Sequence, residues 1–157
     1  DLTIEQIGQI YAAEVTRWSE LGGLDARIHV IAREEGSGTR SAFEELVMRE
    51  APITPRAIVQ DSNGAVKLMA ADDPNAIGFI SLGLVDSTVK AVRLGGVEAS
   101  VENVVNGRYR LFRPFLFVAR GRPEGLPAQF IDYVLSAEGQ LLLGKEGLIP
   151  VTGGGSE

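Results

Sequence analysis

The amino-acid sequence predicts an α/β protein in which strands run directly into helices. The apolar run Ile28-His29-Val30-Ile31-Ala32 reads as a buried strand. A Gly-rich turn follows, and then Ser41–Val47, whose Phe43, Leu46 and Val47 share one helical face. The same order returns further on: a short strand at Ala57–Gln60, the turn Asp61-Ser62-Asn63-Gly64, and a helical pattern over Ala65–Ala71. A third apolar run, Ala76–Ser81, reads as another strand.

Each element has a local reason. Thr3–Glu14 is expected to be helical, with Ile4, Ile7, Ile10 and Tyr11 as its apolar stripe. Asp1 or Thr3 can cap it, and Thr3 and Gln6 stand at capping-box spacing. Arg17–Gly23 reads as a turn. Trp18, the only tryptophan, is expected in the core between helix and sheet. Gly38–Arg49 reads as the helix after the Gly-rich turn, and Ala51-Pro52-Ile53-Thr54-Pro55 as a surface loop. In the next helix Val66, Leu68 and Met69 are expected to be partly buried, and Ser62 or Asn63 to cap it. Asp72-Asp73-Pro74-Asn75 lacks the glycine and glutamate of a calcium loop and reads as a turn. Gly78 within a strand implies a bend or a close backbone approach.

Further along, Val89–Leu94 is expected as a strand and Ser100–Val105 as a short helix or turn. Pro114–Ala119 reads as a strongly apolar strand between Arg113 and Arg120. Leu126–Leu143 reads as helical with a break near Gly139, and Gly147–Val151 as extended. Gly153–Gly155 reads as a flexible tail or linker.

The segment Arg33-Glu34-Glu35-Gly36-Ser37-Gly38-Thr39 carries the chemistry. A helix start presents free N–H groups and the positive end of the dipole, which together favour an anion. Gly36 and Gly38 let the backbone come close to a ligand. Ser37 and Thr39 add hydroxyl donors, and Arg33 adds a permanent charge with a planar donor fork. Such a set suits a tetrahedral oxyanion. The alternative is an ordinary capped strand–helix turn, since Ser, Thr and Gly are common there. A nucleotide P-loop is excluded, because the only Gly-Lys pair, Gly144-Lys145, lies near the C-terminus. The start of the second helix, at Asn63, is either a plain cap or a second wall of the same site.

Six ordered segments make the pattern more specific. They are Asp1–Tyr11, Thr16–Gly23, the Arg33–Thr39 motif, Asn75–Ile80, Arg113–Val118 and Phe130–Gln140. Their sequences and order resemble the phosphate-binding proteins of bacterial ABC phosphate importers, the two-lobed PstS type. The resemblance implies a three-layer α/β lobe of the periplasmic-binding-protein fold, present only in part. Residues 1–113 would be the second, anion-binding lobe. Residues 114–157 would be a return strand and the C-terminal helices that complete lobe one.

It further implies that Arg33, Ser37, Gly38 and Thr39 contact inorganic phosphate. Glu35 would orient Arg33, with Gly36 and Asn63 in support. The implied partners are ABC permease membrane subunits, together with the first lobe that is missing here or a second copy docked through the C-terminal helices. The implied location is periplasmic or extracellular, with lipid anchoring of a full-length protein left open.

Composition bounds the function classes. The formal net charge is −6, and no basic stripe interleaved with aromatics is present, so nucleic acid is not expected as a partner. A negative protein can still bind an anion, because long-range charge is screened beyond about 10 Å at ordinary salt. With no cysteine, disulfides, thiolate metal sites and cysteine catalysis are excluded. His29 is the only histidine and is expected to be structural. No metal, cofactor or catalytic residue is expected, because no base accompanies Ser37 in the sequence. The alternatives are another oxyanion (sulfate, molybdate or tungstate), an interaction or sensory module with a vestigial site, and a hydrolase built on Ser37.

Overall fold

In a computed structural model the described residues are 1–151, and they divide into two compact units, Asp1–Phe112 and a second beginning at Arg113. The expectation for Gly153–Gly155 lies outside the described residues.

The first unit is organised around a three-stranded parallel sheet in the order β2-β1-β3. The central strand is β1 (His29–Arg33), flanked by β2 (Ile58–Gln60) and β3 (Ala76–Ile77). Ile31 pairs with Ile58 and Arg33 with Gln60 on one side, and Val30 pairs with Ile77 on the other. Side chains alternate across β1, so each sheet face receives its own helical layer.

One layer holds α1 (Ile4–Tyr11) and α2 (Gly38–Phe43), which runs on as a π-helical turn over Glu44–Met48. Ile7, Ile10, Tyr11, Phe43, Val47 and Met48 form a buried cluster there with Ile28 and Ile77. The other layer is α3 (Asn63–Asp72), whose Val66 is fully buried near Ile31. This is the expected helix–sheet–helix sandwich.

Local signals explain most boundaries. Thr3 accepts from the Gln6 N–H at 3.1 Å while Gln6 Oε1 accepts from the Thr3 N–H at 2.9 Å, the reciprocal pair that spacing predicted. The helix stops at Tyr11 rather than Glu14, since Ala13 turns the chain at φ 62°. Residues Trp18–Leu21 form a short 3₁₀ turn. Trp18 is half-buried against the core cluster, and its indole N–H donates to the Asn75 carbonyl at 3.1 Å. Ser62 rather than Asn63 caps α3, accepting from the Ala65 N–H at 3.1 Å.

Gly78 is a close-approach glycine. A Cβ there would lie 2.6 Å from Val66 Cγ1, so any larger residue would force Val66 to shift from its place against the sheet.

Several expectations are corrected. Leu68 is exposed rather than partly buried, because α3 presents only Val66 squarely to the sheet. The third strand covers only Ala76–Ile77; beyond it the Tyr11 hydroxyl, not a ladder, meets the Ile77 carbonyl. Val89–Leu94 does not form a strand. Only Leu94 makes bridges, to Leu2 and Val97. A short α4 (Val101–Val105) follows, capped by the Ser100 side chain.

The second unit contains α5 (Leu126–Leu135) and α6 (Ala137–Lys145). The break between them is at Ser136, whose hydroxyl caps α6 through the Gly139 N–H at 3.2 Å. Gly139 itself is helical. It is glycine because a Cβ would strike the Tyr133 carbonyl where α5 ends.

Pro114–Ala119 is not a strand. Its apolar side chains are exposed, Phe115 at 83% and Val118 at 94%. β-propensity needs a neighbour to pair with, and no strand runs beside this segment among the described residues.

Candidate functional site: the Arg33–Thr39 turn

Arg33 is the last residue of the central strand, at the carboxyl end of the parallel sheet, where ligands of open α/β folds gather. The chain leaves β1 through a tight turn in which the Ser37 N–H donates to the Glu34 carbonyl at 3.3 Å. Gly36 carries φ 87°, a left-handed conformation that strains any residue with a Cβ. Helix α2 then begins at Gly38.

Ser37 is buried and caps α2, its hydroxyl oxygen accepting from the Arg40 N–H at 3.3 Å. Such a cap contributes about 1 kcal/mol. Accepting leaves the hydroxyl's own proton free to donate. Gly38 and Thr39 occupy the first two helical positions, whose N–H groups point out of the helix end. The helical run from Gly38 continues through Met48, so the dipole behind those groups is that of a longer helix.

Arg33 is buried, and its donors can be counted. Nε donates to Glu34 Oε2 at 2.9 Å, and Nη2 to Glu34 Oε1 at 2.9 Å and the Asp61 carbonyl at 3.4 Å. Nη1 donates to Asn63 Oδ1 at 2.7 Å. A guanidinium has five N–H bonds. Four are therefore engaged, and one, on Nη1, remains. The fork is fixed from three sides with one donor to spare.

The Glu34 hydrogen bond raises the Arg33 guanidinium above its ordinary value, against the opposing effect of burial. The same bond lowers the Glu34 carboxyl below its ordinary value of 4.5. A carboxyl depressed on folding adds stability that is complete above the unfolded value. That contribution fades as the pH falls through the folded one.

The orienting carboxylate is therefore Glu34, not Glu35. Glu34 is adjacent to Arg33 and reaches both Nε and Nη2 side-on, whereas Glu35 lies on the exposed outer side of the turn. Asn63, from the first turn of α3, is brought into direct contact with Arg33.

Two residues escaped the sequence reading. Arg40 braces the motif from behind: Nη1 donates to the Arg33 carbonyl at 2.9 Å, while Nε pairs with Glu44 at 2.8 Å. The i,i+4 spacing of Arg40 and Glu44 was the visible signal. Ser81 accepts from Asn63 Nδ2 at 3.1 Å, a contact that only the tertiary fold reveals.

His29 pairs with Asp73 at 2.5 Å, tying β1 to the end of α3. Among the described residues no cluster of three His, Cys, Asp or Glu side chains could hold a metal ion. No described helix is long and apolar enough to cross a membrane. A concavity of about 230 Å³ opens near the start of β1, lined in part by Arg27, Thr54 and Arg56, and it does not include the turn.

A parallel sheet sandwiched by helices, with a Gly-Ser-Gly-Thr helix start at the end of its central strand, defines a class. The PBP superfamily domain matches residues 1–138, and the chain belongs to that superfamily. Within it the chain is similar to phosphate-binding proteins. It is 32% identical over 154 residues to the phosphate-binding protein PstS of Bacillus subtilis, covering 97% of this chain and 51% of that protein. It is 37% identical over 134 residues to PstS 2 of Streptococcus agalactiae, covering 79% and 46%.

Among solved structures, it is similar to a putative phosphate ABC transporter substrate-binding protein with bound phosphate from Clostridium perfringens. The TM-score is 0.85 at 45% identity, covering 97% of this chain and 63% of that one. The ABC-type phosphate transport receptor from Vibrio cholerae aligns with TM-score 0.82 at 33% identity, covering 95% and 64%. The chain thus spans about half the length of the curated relatives it matches, and its fold is a partial version of theirs.

Proposed function

We propose that this chain is the oxyanion-binding part of a phosphate-binding protein that serves an ABC phosphate importer. The observation that carries this reading is the buried Arg33 fork. It is held by Glu34, Asp61 and Asn63 with one N–H left over, at the start of a turn rich in undedicated donors. The names of the relatives support phosphate as the anion.

On this reading Arg33, the Ser37 and Thr39 hydroxyls and the Gly38 and Thr39 N–H groups replace the anion's hydration shell, with Gly36 giving the backbone its close approach. Asn63 and Glu34 hold Arg33 in place. No bond is made or broken. Capture is followed by closure against a first lobe and delivery to the permease membrane subunits, outside the cytoplasmic membrane. Selection of phosphate over sulfate would need an acceptor for the phosphate proton, which on this reading comes from the opposite wall of the cleft.

Titration of the chain with inorganic phosphate and with sulfate, followed by backbone amide shifts, tests this. Both anions are expected to shift Gly38 and Thr39, with dissociation constants in the high micromolar range or weaker. Each charged hydrogen bond missing from an opposite wall removes roughly 1.5–3 kcal/mol. Each ~1.4 kcal/mol is about tenfold in affinity. Sub-micromolar binding by a monomer would contradict the need for a second wall.

The exposed apolar residues Phe115, Leu116, Phe117, Val118 and Phe130 call for a cover. We assign that cover to a first lobe or, in its absence, to a second copy of the chain docked or swapped through α5 and α6. Light scattering is expected to show concentration-dependent association, and Phe115→Ser with Val118→Ser to suppress it. A strictly monomeric chain across the concentration range would contradict this assignment.

A further inference from the structure

We propose that Asn63 is a positioning residue that fixes Arg33 for anion binding because it is a neutral amide. The inference rests on the anion-binding reading given above. Asn63 Oδ1 accepts from Arg33 Nη1 at 2.7 Å while Nδ2 donates to Ser81 Oγ at 3.1 Å. The two bonds set the sense of the amide. Turned over, it would point N–H bonds at the guanidinium, which has no acceptor to offer. Through Nη1, the one nitrogen with a donor to spare, Asn63 determines where that remaining N–H points.

The residue type is informative. Asn63 is the first residue of α3, where the helix dipole favours Asp or Glu, yet the first turn of α3 carries no acidic residue. An aspartate would keep the acceptor for Arg33 and suit the dipole. Its cost would fall on the ligand. Glu34 and Asp61 already act electrostatically on Arg33. Arg33 with Glu34 and Asp61 already sums to a net negative charge, and a third carboxylate would deepen it beside the incoming anion. The amide supplies the orientation without the charge.

This predicts opposite orders for binding and stability, which a purely structural role would not produce. Inorganic phosphate affinity, read from the amide shifts of Gly38 and Thr39 in the full chain, is expected to fall about threefold in Asn63→Ala. In Asn63→Asp it should fall about tenfold or more, from like-charge repulsion at short range. Thermal stability should run the other way, with Asn63→Asp at or above wild type and Asn63→Ala below both. Ser81→Ala, which releases only the Nδ2 anchor, should lower affinity less than either.

Wild-type binding that persists unchanged in Asn63→Asp would overturn the inference and leave the anion site standing. The same holds for a loss that is equal in the Ala and Asp variants. Absence of any phosphate-dependent shift in wild type would overturn the anion site and this inference together.

Discussion

Arg33→Ala is expected to abolish measurable phosphate binding. Arg33 carries the only positive charge within the Arg33–Thr39 motif, and the side chain is held by three neighbours so that its donors are ordered before the anion arrives. A hydrogen bond to a charged group contributes about 1.5–3 kcal/mol. Removing it should weaken an already weak site by about tenfold to a hundredfold. Arg33→Lys keeps the charge but loses the fork, so it cannot satisfy Glu34, Asp61 and Asn63 together. It should fall between alanine and wild type. Amide-detected titration of the three proteins checks this order, with thermal unfolding showing that each is folded. An alanine variant that binds as well as wild type would remove Arg33 from the site.

Tyr11→Ala is expected to cause a large loss of stability. Tyr11 is 1% exposed. Its ring lies 4.5 Å from Phe43 and 5.6 Å from Phe79, which stack on each other at 4.2 Å. Its hydroxyl lies 3.1 Å from the Ile31 carbonyl and 3.3 Å from that of Ile77, just beyond the last β1–β3 pair. One phenolic proton thus serves the point where two strands diverge. Burial pushes the Tyr11 hydroxyl far above its ordinary value of 10.0, so it stays protonated in ordinary alkaline buffers. Truncation of a large buried aromatic costs about 3–5 kcal/mol. A domain of this size has only about 5–15 kcal/mol in all. Tyr11→Phe should cost about 1–3 kcal/mol, since it leaves buried acceptors without a donor. Urea denaturation measures both, and a Tyr11→Ala loss below about 1 kcal/mol would show that the aromatic cluster does not hold α1 to the sheet.

The features legible in the sequence were those with short-range causes. The Thr3–Gln6 capping box, the Gly36 turn and the Ser37 helix start all act within four residues, and each stands where its spacing placed it. Gly78 was also legible, because a glycine inside an apolar strand leaves few explanations. Side-chain choices between near neighbours were less accessible. Glu34 and Glu35 have the same chemistry, and only the direction of the turn decides which one meets Arg33. A long-range contact such as Ser81 with Asn63 depends on how α3 and β3 pack and leaves no local trace. Pro114–Ala119 shows the opposite failure. Its composition favours a strand, but a strand exists only against a partner, and pairing is not a property of one segment.

A crystal structure of the chain grown in phosphate tests most directly whether the Arg33–Thr39 turn is an anion site. The expected result is a tetrahedral anion within hydrogen-bonding distance of Arg33 Nη1, the Ser37 and Thr39 hydroxyls and the Gly38 or Thr39 N–H. Arg33 should still be paired with Glu34 and Asn63. An empty turn with phosphate bound elsewhere would contradict it, as would an Arg33 whose last N–H is taken up by another protein carbonyl.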